Sequence, residues 1–229
     1  HAAKAGYAYA EKLLSQEFPF QLRRVMHASR MVMTGNTAMA LGAIKAGCKF
    51  FAGYPMTPTS SILAYLAAHT ETTGMVVRHA EDEIAAINSA IGASYAGARS
   101  LVATAGGGFA LMVEGLGLAS MVEAPLVIIE GQRPGPSTGL PTWTGQGDLQ
   151  FLLHAGQDEF PRIVIAPGDA KEAFYTTHHA FNLADQYQTP VLVMTDKFLA
   201  ESHMSVERFD ERHLVIDRGA IVREPQQDA

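Results

Sequence analysis

Short apolar runs alternate along this chain with stretches in which small and apolar residues recur at helical spacing. The runs are Met31 to Thr34, Lys49 to Gly53, Met75 to Arg78, Ser100 to Thr104, Leu126 to Glu130, Arg162 to Ala166 and Val191 to Thr195. Several lack polar–apolar alternation, which predicts strands covered on both faces. Helices are predicted between them, over Thr37 to Ala46, Ser60 to Ala68, Asp82 to Ala96, Phe109 to Met121 and Asp169 to Ala184. The last opens on a capping signature, Asp169 with Glu172 three residues on. Strand and helix in turn predict an α/β fold, a doubly wound, mainly parallel sheet flanked by helices.

Residues 2 to 18 read as a short amphipathic helix with Leu13, Leu14 and Phe18 on its apolar side, closed by Pro19. The chain therefore divides into an arm or linker (1–30), an α/β domain (31–217) and a tail (218–229) leading toward a further domain. It opens on His1 and stops after the polar Glu224-Pro225-Gln226-Gln227, as a domain cut from a longer polypeptide would.

Regular alternation fails over Gly131 to Gly147, a stretch of 17 residues with five Gly and three Pro. Loops of that length inside a compact domain are usually functional or disordered. It follows a buried strand and so leaves the carboxyl edge of the sheet, where α/β folds bind ligands. Gly53 to Ser61, Arg78 to Glu83 and Thr104 to Gly108 leave strand ends on the same predicted edge. In a parallel sheet the four segments converge on one crevice.

Composition narrows the chemistry. Of 229 residues 48% are apolar, enough for a substantial core, but only 17% are charged, against roughly a quarter in ordinary globular chains. Such a surface is expected to be covered in part by another chain or domain. Net charge is −6 and no basic run occurs, so nucleic acid has no electrostatic footprint. Cys48 is the sole cysteine, which excludes an internal disulfide, a CxxC zinc pair or a thiolate set for an iron–sulfur cluster. The nine histidines show no metal spacing. Glu114, Glu123 and Glu130 interrupt the longest apolar candidate below the ~18 residues of a membrane span. His1 to Ala10 carry no secretory pattern, and a soluble, reducing, cytoplasmic setting is expected.

Four groups at the crevice carry candidate chemistry. Glu81, Asp82 and Glu83 open a helix whose apolar stripe reads Ile84, Ile87, Ile91. Acids there complement the helix dipole. Asp82 points away from the stripe, as a cap or solvent residue. Glu81 and Glu83 flank it equally, and either is placed to be a half-buried carboxylate sharing a proton with a ring nitrogen. The following helix is smooth, and Gly92 in its middle predicts close packing, against the sheet first of all. Gly106-Gly107-Gly108 lets backbone approach a ligand or simply makes a tight turn. Pro55 and Pro58 bracket Thr57, with Tyr54, Thr59, Ser60 and Ser61 beside it, giving hydroxyls for a ligand or a helix cap. Arg133 is the cation at the crevice, suited to a carboxylate.

Taken together, Gly35-Asn36-Thr37-Ala38 with Gly42-Ala43, Tyr54-Pro55-Met56-Thr57-Pro58, Glu81-Asp82-Glu83 and Arg133-Pro134-Gly135-Pro136-Ser137-Thr138-Gly139-Leu140-Pro141-Thr142 resemble, in order, the α subunit of 2-oxoacid:ferredoxin oxidoreductases, most closely the 2-oxoglutarate type. The resemblance spans about 31–217. It implies the pyrimidine-binding domain of a thiamine diphosphate enzyme that oxidatively decarboxylates a 2-oxoacid with coenzyme A and reduces ferredoxin. It assigns Glu83 to the aminopyrimidine, Thr57 and Arg133, with Tyr54 and Pro55, to the 2-oxoacid, and Gly106 and Gly107 to the cofactor. It also implies a β subunit carrying the diphosphate site, Mg2+ and the iron–sulfur cluster, in an (αβ)2 assembly. Met56 and Thr59 stand where the family has isoleucine and commonly serine. Arg78, His79, His154 or another chain would meet the distal carboxylate of 2-oxoglutarate. Competing readings are another thiamine enzyme's pyrimidine module, of the pyruvate, indolepyruvate or transketolase-like kind, and a non-catalytic scaffold.

Overall fold

The computed structural model describes residues 1–14, 20, 23–24, 26 and 28–221. Its elements are α1 (Ala2–Leu13), β1 (Met31–Met33), α2 (Gly35–Lys45), β2 (Phe50–Gly53), α3 (Ser60–Ala68), α4 (Thr70–Thr73), β3 (Val76–His79), α5 (Glu83–Tyr95), β4 (Ser100–Ala105), α6 (Gly106–Met121), β5 (Leu126–Gln132), α7 (Leu149–His154), β6 (Ile163–Ile165), α8 (Ala170–Tyr187), β7 (Val191–Asp196), α9 (Lys197–Glu201) and β8 (Met204–Val206). Six strands form a sheet in the order β3-β2-β4-β5-β7-β6, every pair parallel.

Each face of this sheet is covered, as the unbroken apolar runs require. In β4 and β5 alternate residues feed two cores. Leu101, Ala103, Val127 and Ile129 join Met39, Ile62, Phe174 and Phe181 of α2, α3 and α8. Val102, Leu126 and Ile128 join Ile87, Phe109, Met112 and Leu116 of α5 and α6. Burying each such large side chain is worth about 1.5–3 kcal/mol. Local signals agree: Asp169 Oδ1 accepts from the Glu172 N–H at 2.8 Å, and Thr34 caps α2 by accepting from the Thr37 N–H at 3.2 Å.

Several expectations are corrected. Met31 to Thr34 is no member of the large sheet. Its three strand residues pair antiparallel with β8 in a separate two-stranded ribbon. Val32 is 71% exposed between a half-buried Met31 and a buried Met33, the pattern of a strand covered on one side. The Gly106 triplet is the first turn of α6 rather than a turn before it. β5 continues to Gln132, and α7 follows the loop directly. Gly92 faces open space, with nothing within 4 Å of where a Cβ would stand, so close packing does not account for it. α1 ends at Leu13 with Leu13 and Leu14 exposed; Phe18 and Pro19 lie outside the described residues. The short α4, α7, α9 and β8 carry too little periodicity to predict.

Candidate functional site

Because β2, β3, β4 and β5 run parallel, the segments after Gly53, His79, Ala105 and Gln132 leave one edge. Chain connections diverge between β2 and β4, β2 leading outward to β3 and β4 leading the other way to β5. Such a switch point leaves a crevice between the outgoing loops.

Glu83 enters this crevice from the first turn of α5. Asp82 is the cap, its Oδ1 accepting from the Ala85 N–H at 2.7 Å. The tie between Glu81 and Glu83 is broken by a rotated helix face. Ile84 is 51% exposed, and the buried stripe runs Glu83, Ala86, Ile87, Ala90, Ile91, Ser94. Glu83 is thus 3% exposed, while Glu81 is out in solvent with Arg78 at 3.8 Å.

The Glu83 Oε1 is buried without a hydrogen-bond partner. It stands against the amino end of α6, where a Cβ on Gly108 would come within 2.6 Å of Oε1 and overlap Thr104 Oγ1. Gly108 is therefore the glycine that admits this carboxylate, a residue that sequence reasoning passed over in favour of Gly106 and Gly107. The triplet was visible; which member a side chain would touch was not.

Thr57 and Arg133 are brought together. Arg133 Nη1 donates to the Thr57 carbonyl at 2.7 Å, and Arg133 makes no ion pair among the described residues. The Thr57 segment is held from behind by Asn36, which is wholly buried and donates to the Pro58 carbonyl at 2.7 Å and to Ser61 Oγ at 2.8 Å. Thr59 Oγ1 turns back to the Met56 carbonyl at 3.0 Å and is not offered to the crevice. Gly131 lets β5 pass, since a Cβ there would meet Thr59 Cγ2 at 2.7 Å and Pro58 Cγ at 2.8 Å. Asn36 and Gly131 were not singled out for this support; an apolar strand ending on a glycine was the available signal. Tyr54 and Pro55 are exposed at the rim.

A cavity of about 410 Å³ opens beside Arg133, lined also by Gly106, Gly107, Pro134, Ser137 and Asp148 among others, with Glu83 and Thr57 outside its lining. It joins a guanidinium to the amino end of α6, where Asp148 Oδ2 already stands beside Gly106. Cys48 is distant in character: buried, donating to the Phe50 carbonyl at 3.3 Å, and pushed up to about 12 by that burial. Among the described residues no group of three His, Cys, Asp or Glu is placed to hold a metal ion, and no helix is long and apolar enough to cross a membrane.

An open parallel α/β sheet with a crevice at its switch point defines a class, the doubly wound domains that bind a ligand at that edge. More particularly, residues 41–227 match the pyruvate flavodoxin/ferredoxin oxidoreductase thiamine diphosphate-binding family, and the chain belongs to it. It is 48% identical over 207 residues to 2-oxoacid:ferredoxin oxidoreductase 1, subunit alpha, of Sulfurisphaera tokodaii, covering 84% of this chain and 33% of that protein. Identity to the 2-oxoglutarate synthase subunit KorA of Archaeoglobus fulgidus is 45% over 175 residues, 76% of this chain and 51% of the relative. The 2-oxoglutarate:ferredoxin oxidoreductase from Magnetococcus marinus, solved with 2-oxoglutarate, coenzyme A and succinyl-CoA bound, superposes with a TM-score of 0.87 at 41% identity, over 94% of this chain and 38% of that one. The chain thus spans a third to a half of the length of these relatives.

Proposed function

We propose that this chain is the pyrimidine-binding α domain of a 2-oxoacid:ferredoxin oxidoreductase that converts a 2-oxoacid, 2-oxoglutarate in the first place, with coenzyme A to acyl-CoA and CO2. One observation carries the reading: Glu83 Oε1 is a buried carboxylate oxygen without a donor, and buried oxygens are seldom left so. The N1′ edge of an aminopyrimidine supplies what it lacks. Glu83 holds the hydrogen at that ring nitrogen, and Gly108 leaves it room. Thiamine diphosphate, when bound, supplies the carbon nucleophile that attacks the 2-oxo carbonyl and accepts electron density on decarboxylation. Gly106 and Gly107 offer backbone along the cofactor.

Arg133 pairs with the 2-oxoacid carboxylate while its Nη1 stays on Thr57, so the group that binds substrate also fixes the hydroxyl-bearing segment beside it. Tyr54 and Pro55 shape the rim. The diphosphate, Mg2+ and iron–sulfur cluster fall to a β partner, consistent with a single buried cysteine here, with ferredoxin as acceptor in an (αβ)2 assembly in the cytoplasm. Residues 31–217 form the domain. Ile84, Tyr95, Leu111, Leu118 and Met121, all exposed on α5 and α6, supply the apolar face for β.

The test is Glu83→Gln in the assembled enzyme. Loss of a positioned acid–base group lowers the rate by about 10²–10⁴-fold. 2-Oxoacid-dependent reduction of ferredoxin should fall accordingly with the complex intact; retained activity overturns the assignment.

A further inference from the structure

Glu130 is a buried acid that the proposed chemistry leaves unused. It lies on β5 in register with Thr104 and Met194, is wholly buried, and neither of its carboxyl oxygens meets a donor. Asp148, at the end of the long loop, reaches the same end of the sheet. Its N–H is on Gln132, two residues along β5, and its Oδ2 lies beside Gly106, two residues beyond the Thr104 that pairs with Glu130. That Oδ2 is likewise buried and without a donor. Ionised carboxylates only accept hydrogen bonds. Two of them facing each other in a dry site are compatible when one keeps its proton. Burial first, then the Asp148 charge and a bond to Asp148, hold Glu130 well above the usual glutamate range.

Among the described residues no cation is paired with this acid. Thr104 and Met194 are neutral, and Glu83 against Gly108 beyond Thr104 is a further acid. Arg133, at the other end of the loop, gives one Nη1 bond to Thr57 and none to Glu130 or Asp148. Neither Glu130 nor Asp148 forms an ion pair among the described residues.

What the pair fastens is the loop that begins with Arg133. The Asp148 N–H donates to Gln132 Oε1 at 3.1 Å, and Asp148 Oδ2 occupies the space beside Gly106, 2.6 Å from where a Cβ would stand. A carboxylate at the amino end of α6 also suits the helix dipole. Asp148 and Arg133 line the same cavity from opposite ends of the loop.

We infer that Glu130 and Asp148 share one proton, and that this acid pair latches the loop from Arg133 to Asp148 onto the amino end of α6, setting Arg133 for the 2-oxoacid carboxylate. Both are positioning residues. What the latch positions rests on the function proposed above; the shared proton does not. Because the proton is held more tightly than usual, the latch is closed at low pH and opens as pH rises through the titration of Glu130.

Two readouts test this on the assembled enzyme. In infrared difference spectra between wild type and Glu130→Gln, a protonated-carboxyl C=O band is expected at neutral pH and should vanish at alkaline pH. In steady-state kinetics, the wild-type KM for the 2-oxoacid should rise about ten-fold over the same alkaline range with kcat nearly unchanged. Glu130→Gln, a permanent neutral donor, should keep the low KM throughout. Glu130→Met, which cannot donate, should show the raised KM at every pH. Absence of the band overturns the shared proton, and a Glu130→Gln profile that follows wild type overturns the latch. If the complex turns over no 2-oxoacid, the functional reading fails while the band still decides the pair.

Discussion

Arg133 Nη1 donates to the backbone carbonyl of Thr57 across 2.7 Å, tying the loop after β5 to the segment after β2 over 76 residues of sequence. The remaining guanidinium donors are left for a carboxylate, and the two loops cannot move independently. A planar five-donor group can serve both partners at once; an ammonium cannot with the same geometry.

Arg133→Lys therefore separates charge from geometry. A charge-assisted hydrogen bond is worth about 1.5–3 kcal/mol, so KM for the 2-oxoacid should rise about 10- to 150-fold in the assembled enzyme. Thr57→Ser keeps both the carbonyl and a hydroxyl, and its KM should stay within about three-fold of wild type by the same reckoning. A wild-type KM for Arg133→Lys would show that the carboxylate is held elsewhere.

Gly108→Ala should disable the site by displacing Glu83 while leaving its carboxyl group chemically unchanged. Its Cβ would come within 2.6 Å of Glu83 Oε1 and 2.8 Å of Glu83 Cγ, and would overlap Thr104 Oγ1. Displacing a positioned group by an ångström can cost about 10²-fold, which is the expected fall in kcat, together with weaker thiamine diphosphate binding by calorimetry. Gly92→Ala is the control: that Cβ meets nothing, and alanine favours the helix by about 0.8–1 kcal/mol. It should raise the thermal stability of the chain and leave thiamine diphosphate contacts at Glu83 unaltered.

Hydrophobic rhythm made the α/β class and most of the large sheet legible, because strands buried on both faces and helices between them need little tertiary information. The details that decide chemistry were set by contacts across the fold. Glu83 and Glu81 were equal on a wheel centred on Ile84, Ile87 and Ile91; packing of α5 onto β2, β4 and α6 turned the face until Ile84 lay outside and Glu83 inside. Gly92 and Gly108 look alike in sequence, yet one faces solvent and the other admits a carboxylate. Met31 to Thr34 read as another sheet strand because three residues hold too little alternation to reveal a one-sided ribbon.

The amino edge carries stability rather than chemistry. Arg99 and Asp185, with side chains 2% and 3% exposed, pair at 2.8 Å, and Arg218 meets the same carboxylate at 2.8 Å. Arg99 also donates to the Ala46 carbonyl, Asn182 Oδ1 and the Asp217 carbonyl, so it ties α2, α8 and the 214–219 segment to the start of β4. Asp185→Ala leaves a buried guanidinium short of its partner, and breaking such a pair costs about 3–5 kcal/mol. Denaturant unfolding should show a loss of that size, while kcat of the enzyme still folded should match wild type. An unchanged midpoint would mean that the Ala46 and Asp217 carbonyls and Asn182 Oδ1 hold Arg99 in full without the carboxylate.

The charge-poor surface makes the last prediction. Leu111 and Met121 on α6 are 51% and 82% exposed, with Ile84 and Tyr95 of α5 at 51% and 75%. These helices cover the sheet face on which Glu83 and Gly108 lie, so a partner seated there would close the crevice as well as the apolar patch. A buried apolar anchor contributes about 2 kcal/mol or more to an interface. Leu111→Glu or Met121→Glu should then weaken co-purification with the β subunit by at least about 30-fold in affinity and lose ferredoxin reduction with it, the isolated chain remaining folded by circular dichroism. Val215→Glu, at a residue 66% exposed in the segment after β8, should leave assembly intact. Equal effects at all three positions would put the partner somewhere other than on α5 and α6.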